Sequence, residues 1–165
     1  MGSAAGREPY LRLRPQQPGE ERPDTSSEWD DWNGEFDPQA ASDVGRLLVE
    51  ADGTVVGDVT WHAVWYGPTP GCLAWNIGIA LVPAARGRGI GSRAQRMLAE
   101  YLFATTSVVR VEASTDVDNL AEQRALEAAG FRREGVQRGA QVRRDGRHDL
   151  VCYAVLRTDL PDLSG

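Results

Sequence analysis

The sequence predicts an α/β (α+β) domain built on one mixed, mostly antiparallel sheet of about seven strands flanked by helices. Three observations carry this reading. Asp52-Gly53 lies between two apolar alternating runs and is a strong hairpin signal, so antiparallel pairing starts early in the chain. The stretch from Ile79 to Ser92 reads as a buried strand, a turn, and a glycine-rich loop opening directly into an amphipathic helix. Arg110 to Phe131 then reads as a strand, a short polar connection, a helix, a Gly130 stop and a new strand.

Taken in order, Tyr10 to Arg14 alternates Leu11 and Leu13 with arginines, as a first strand does. Residues 15–45 form an acidic, Pro/Gly-punctuated segment with little helical periodicity. Arg46–Ala51 and Thr54–Trp65 are the strands flanking Asp52-Gly53, and Cys72–Val82 leads into the glycine loop. Beyond the loop, Ile90, Ala94, Met97, Leu98, Tyr101 and Leu102 recur at helical spacing, which places Arg93, Gln95, Arg96 and Glu100 largely on the other face. Val108–Ser114, a helix over Asn119–Ala129, Phe131–Arg138 and His148–Arg157 complete the set. A basic run from Arg138 to Arg147 occupies the last hairpin tip, ending at Asp145-Gly146.

The 165 residues suffice for one sizeable core, so residues 1–165 read as a single domain, with 1–9 loosely ordered and 46–158 as the core. A net charge of -6 argues against general nucleic-acid binding. No apolar run is long enough to span a membrane, and the N-terminus lacks a signal-peptide pattern. The only cysteines, Cys72 and Cys152, sit in predicted strands and read as free thiols of a cytoplasmic protein, with neither disulfide nor metal site.

The glycine loop suggests a ligand class. A strand–loop–helix junction leaves several N–H groups unpaired beside the positive end of the helix dipole, an arrangement suited to a diphosphate. Gly87, Gly89 and Gly91 permit close approach, Arg86 and Arg88 add positive charge, and Ile90 and Ser92 supply the first helical N–H groups. There is no Gly-Lys-Ser/Thr for a nucleoside triphosphate, and the glycine spacing is not that of a dinucleotide loop.

With these residues in view, the chain resembles the GNAT superfamily of acyl-CoA-dependent N-acetyltransferases. Arg86-Gly-Arg-Gly-Ile-Gly91 is similar to that family's Arg/Gln-x-x-Gly-x-Gly/Ala acetyl-CoA loop. Asn119 with Arg124-Ala-Leu-Glu-Ala-Ala-Gly-Phe131 is similar to its second signature, and the two stand in the family's order and separation. Arg147-His-Asp-Leu-Val-Cys-Tyr153 resembles the closing strand of the ribosomal-protein alanine/serine N-acetyltransferase branch. The resemblance implies a GNAT fold in which the fourth and fifth strands splay apart to admit the pantetheine arm of acetyl-CoA. It also implies CoA contacts from residues 86–92, Asn119 and Arg124, and a thioester carbonyl held by the N–H groups of Leu81 and Val82.

Direct acyl transfer needs amine deprotonation, oxyanion donors and a proton for the leaving thiolate. Glu112 matches the position of the catalytic glutamate of the ribosomal-protein-type enzymes; the other reading is a structural carboxylate paired with Arg110 or Arg132. Glu122 stands where relatives often carry a serine near the CoA sulfur, and it also stands at N3 of a capping box begun by Asn119. Leu126 replaces the tyrosine that many family members use as an acid. Tyr153 on the last strand is a substitute, or a core tyrosine.

The acceptor side is read from the acidic segment. Glu20, Glu21, Asp24, Glu28, Asp30, Asp31, Glu35 and Asp37 oppose Arg22, with Trp29, Trp32 and Phe36 interleaved. Trp29, Asp30, Asp31 and Trp32 would hold a cationic amine by charge and cation–π contact, or the segment is a solvated loop stapled by its aromatics. His62 on the third strand is a further base candidate or a structural histidine. The function expected is acetyl transfer from acetyl-CoA to a primary amine: a small cationic metabolite, an antibiotic or a protein N-terminus. The alternatives are a longer acyl-CoA donor or a non-catalytic acyl-CoA sensor. The expected partners are acetyl-CoA and the amine, without nucleic acid or membrane, and a homodimer through a strand edge is an open option.

Overall fold

A computed structural model describes residues 7–35 and 45–160. Phe36, Asp37 and residues 1–6 of the expected loose N-terminus lie outside the described residues. Strands β1 (Leu11–Arg14), β2 (Gly45–Ala51), β3 (Thr54–Trp65) and β4 (Leu73–Leu81) pair antiparallel in succession. Asp52 and Gly53 have φ of 48° and 81°, the positive pair that a two-residue type I′ turn requires. Helix α1 (Ile90–Thr105) crosses over from β4 to the parallel β5 (Arg110–Asp116). Helix α2 (Leu120–Ala128) then leads to the hairpin β6 (Arg132–Arg143) and β7 (Gly146–Leu156), whose second strand pairs with β5. The sheet order is β1-β2-β3-β4-β5-β7-β6.

Both helices cover one face of this sheet. The side chains of Leu47, Val49, Val59, Ile77, Val111, Ala113, Val151 and Val155 meet Ile90, Ala94, Leu98 and Leu102 of α1 and Leu126 of α2 in a single core. Burying each valine, leucine or isoleucine among them is worth about 1.5–3 kcal/mol. The opposite face carries Asp58, Thr60, Glu112, Ser114 and Asp116, by the period-two alternation of β3 and β5.

β4 and β5 pair at only two positions, Trp75 with Val111 and Asn76 with Glu112. From there β4 stays with β3 as far as Leu81 opposite Gly57, and β5 stays with β7 as far as Asp116 opposite Leu150. The strands therefore diverge into a notch, as the family resemblance implies. Two boundaries differ from expectation. Pro70–Cys72 is a 3₁₀ turn, so β4 begins at Leu73. β6 runs on to Arg143 because its last residues pair with β7, Gln141 with His148, Val142 with Arg147 and Arg143 with Gly146, and Trp32 adds an isolated antiparallel bridge to Arg143.

Candidate active site

The notch opens into one cavity of about 770 Å³. Its wall includes Ile77–Leu81 of β4, Ala113–Asp116 of β5, Gly87, Gly89, Gly91 and Ser92 of the glycine loop, and Asn119, Glu122 and Arg124 at the start of α2. The segment Thr25–Trp32 contributes Thr25, Ser27, Trp29, Asp30 and Trp32, and the β6 arm contributes Gln141 and Arg143.

The glycine loop has the geometry its sequence suggests. Gly87 and Gly89 have φ of 68° and 73°, a left-handed conformation that costs a residue with a Cβ about 1–2 kcal/mol. Gly89 is the N-cap of α1, and the first helical bond runs from the Arg93 N–H to the Gly89 carbonyl at 3.3 Å. Among the described residues, no main-chain N–H from Gly87 to Ser92 has a protein acceptor. Of this stretch, Gly87, Gly89, Gly91 and Ser92 line the cavity at the positive end of the helix dipole. Arg88 is exposed and outside the cavity wall. Arg86 is committed elsewhere: its Nε donates to the Leu81 carbonyl at 3.0 Å, and Nη2 donates to the carbonyls of Thr25 and Ser26 at 3.1 and 2.9 Å.

The strand edge corrects one expectation. The Val82 N–H already donates to the Val56 carbonyl at 2.8 Å, so it is not a free donor for a thioester. That bond fixes the alternation of the β3–β4 ladder, in which every second residue of β4 turns its polar groups away from β3. Ile79 and Leu81 consequently point their N–H groups into the notch.

Two carboxylates that the sequence nominates part company. Glu112 is buried at 8% exposure and absent from the cavity wall. Its Oε2 accepts from the Tyr66 hydroxyl at 2.6 Å and from Arg110 Nε at 2.9 Å, and Arg110 reaches on to Glu134 of β6 at 2.8 and 2.5 Å. This network closes the narrow end of the notch, and the carboxylate pushes the Tyr66 hydroxyl above its ordinary range. Glu122, by contrast, lines the cavity. Asn119 Oδ1 accepts from the Glu122 N–H at 3.2 Å, but only this half of a capping box forms. The Glu122 side chain turns instead to α1, where Oε1 accepts from Gln95 Nε2 at 2.7 Å. Burial, only partly offset by that hydrogen bond, pushes the Glu122 carboxyl up to about 7.

Gln95 is the residue the sequence reading misplaced. It is 1% exposed rather than on the polar face of α1. Its spacing to Leu98, Ala99 and Leu102 is i+3, i+4 and i+7, the signal that could have placed it in the buried stripe. Tyr153 is fully buried in the core and donates to Glu127 at 3.1 Å, away from the cavity wall. His62 is exposed on β3 opposite Asn76 and also lies outside that wall.

The Thr25–Trp32 segment forms a strap across the far face. Arg86 pins one end. At the other, Trp32 bridges Arg143, the Arg144 N–H donates to the Asp31 carbonyl at 3.2 Å, and Arg144 pairs with the Asp31 carboxylate at 3.0 Å. The indole rings of Trp29 and Trp32 each lie 5.7 Å from the Arg143 guanidinium. They thus hold a cation of the chain itself, where the sequence assigned them a cationic ligand. Arg143 is 5% exposed and pairs with Asp116 at 3.3 Å; Asp116 also bonds His148 at 2.6 Å, which with Asp145 raises the imidazole's proton affinity. No local pattern in the sequence signals this cluster. Asp30 remains on the cavity wall, while Asp31 does not.

A sheet split between its fourth and fifth strands, with an unpaired N–H loop at the mouth of the split, is the architecture that the resemblance to the GNAT superfamily implies. The sequence pattern of the acetyltransferase (GNAT) domain family matches residues 7–132, and the chain belongs to that family. The probable N-acetyltransferase YjcK of Bacillus subtilis is 32% identical over 92 residues, 56% of this chain and 49% of that protein. Mycobacterium smegmatis RimJ, solved in complex with CoA-disulfide, superposes with a TM-score of 0.65 at 25% identity, covering 74% of this chain and 59% of that one. The ribosomal-protein-S5-alanine acetyltransferase of Vibrio fischeri shares the fold, with a TM-score of 0.62 at 20% identity over 73% and 66% of the two chains. The chain spans about half the length of the curated relative it matches. No described helix is long and apolar enough to cross a membrane.

Proposed function

We propose that the chain transfers the acetyl group of acetyl-CoA to a primary amine by direct attack in a ternary complex. One observation carries the reading: the unpaired N–H groups of the glycine loop, the free edge of β4 and the Glu122 carboxyl all line one cavity. The loop N–H groups from Gly87 to Ser92 would hold the diphosphate, with Arg124 beside them on the cavity wall. Leu81, next to the loop, would pair with a pantetheine amide as an added strand does, and the Ile79 N–H, further from the diphosphate, would be the donor for the thioester carbonyl. RimJ with its bound CoA-disulfide supports the choice of donor.

In the reaction, nitrogen bonds to the thioester carbon as the carbon–sulfur bond breaks. An alkylammonium substrate gives up two protons: one leaves to water and one ends on the CoA sulfur. Glu122 carries the second, giving its proton to the thiolate and regaining one from the nitrogen. A carboxyl titrating near 7 is matched to that exchange at neutral pH. Glu112, held by Arg110 and Tyr66, serves the frame of the notch instead.

The strap favours a compact amine over an extended chain as acceptor, because it is fastened to the glycine loop by Arg86 and to the β6–β7 hairpin by Arg143 and Arg144. Asp30 on the cavity wall would draw the ammonium. Calorimetric titration of acetyl-CoA, followed by a thiol-release screen against small amines and short peptides, tests the reading. Binding with amine-dependent release of CoA is expected. Binding with no release from any acceptor would favour a sensor, and no binding would remove the donor assignment.

A further inference from the structure

Gln95 and Glu122 sit on different helices, 27 residues apart, and meet beneath the cavity. Gln95 Nε2 donates to the Glu122 carboxyl at 2.7 Å, while Gln95 Oε1 is buried and has no partner among the described residues. A buried, unpartnered amide oxygen costs about 1–3 kcal/mol, so its retention in the core requires a reason. The carboxyl beside it supplies one. An ionised Glu122 needs a donor, which Nε2 provides. A protonated Glu122 needs an acceptor, and half a turn of the same amide presents Oε1 to its O–H.

We propose that Gln95 is a positioning residue: its amide turns with the charge of Glu122 and keeps that carboxyl hydrogen-bonded, and aimed at the notch, in both of its proton states. The inference rests on the acyl-transfer reading for its consequence in turnover, but the pairing itself is a property of the free protein.

The surroundings isolate the pair. From α1, Arg96 is taken by Glu100 at 2.6 Å, and Arg93 by the Pro9 carbonyl at 2.9 Å and Glu8. From β4, Ile77 and Ile79 bring no titratable side chain to the cavity, and on β5 Asp116 is held by Arg143 and His148. On α2, Arg124 is exposed at the cavity mouth. Burial and Gln95 are the influences acting on Glu122. Burial favours the neutral acid. The amide bonds both proton states, but its N–H to the charged carboxylate is the stronger of the two bonds, so removing the amide moves Glu122 upward.

The test is Q95M, close in volume and without polar atoms, with Q95L as a second variant should the first fold poorly. In the ligand-free protein, the Glu122 carboxyl is followed by carbon-13 NMR against pH, with E122Q assigning its signal. The proposal expects the midpoint to rise by about one unit in Q95M. It also expects the pH profile of kcat to shift by the same amount, with the KM for acetyl-CoA unchanged. Q95M should then add nothing to E122Q in a double-mutant cycle. An unmoved carboxyl midpoint in both variants overturns the proposal, whatever happens to thermal stability. Absence of any acyl transfer would fell the functional reading alone, because the NMR titration needs no substrate.

Discussion

A carboxyl that gains proton affinity on folding makes stability depend on pH, and at Glu122 the direction is set. The folded group titrates near 7 against an ordinary 4.5, so between those values the native state binds the extra proton. Stability therefore falls as pH rises from about 4.5 to 7 and levels off above, by roughly 3 kcal/mol from this group alone. E122Q removes that slope, and urea denaturation of both proteins across the interval measures the difference. Glu112 behaves in another way. Its hydrogen bonds to Tyr66 and Arg110 hold the closed end of the notch, so E112Q should cost about 1–3 kcal/mol of stability while leaving the pH profile of turnover in place. Turnover lost without any loss of stability would return Glu112 to the chemistry. The sequence nominated both glutamates but could not rank them. Their difference lies in the sheet face that Glu112 leaves, in the turn of Glu122 from α2 toward α1, and in partners 46 and 27 residues distant.

At the scale of elements, the glycine loop and the edge of β4 make separate predictions. G89D places a carboxylate at the N-cap of α1, where it repels a diphosphate, at a left-handed φ of 73° that costs the new side chain about 1–2 kcal/mol. The helix should survive while acetyl-CoA affinity disappears, read by circular dichroism and calorimetry; unchanged affinity would unseat the loop. Along β4, the amides of Ile79 and Leu81 face the notch while that of Val82 is tied to Val56. Fast amide exchange is expected at Ile79 and Leu81, slow exchange at Val82, and protection of the fast pair when acetyl-CoA is added. Most elements were legible because each has a local cause: Asp52-Gly53 turns the first hairpin, Asn119 starts α2, and Gly130, with φ of 96°, ends it. The length of β6 was not, because its register on β7 shifts twice, between Arg133 and Gly135 and between Gln137 and Gln141, before the ladder resumes to Arg143 opposite Gly146.

The whole molecule is a sheet with one weak seam. Each side of it is an unbroken length of chain: β1 to β4 with α1 on one, β5 to β7 with α2 on the other. Only the two rungs at Trp75 and Asn76 join the strands across it, supported by the shared core beneath and by the Tyr66–Glu112 clasp. The family resemblance made that seam foreseeable, but the strap that spans its far face was not, since its attachments are arginines meeting backbone carbonyls and indole faces. The arrangement divides authorship of the chemistry. In the proposed reaction the N–H groups for a diphosphate come from the earlier stretch of chain and the proton-carrying carboxyl from the later one, so neither stretch would hold the whole transferase site. Exchanging one stretch for a relative's would alter grip on the donor or handling of the proton separately, with the seam as the natural joint for recombination.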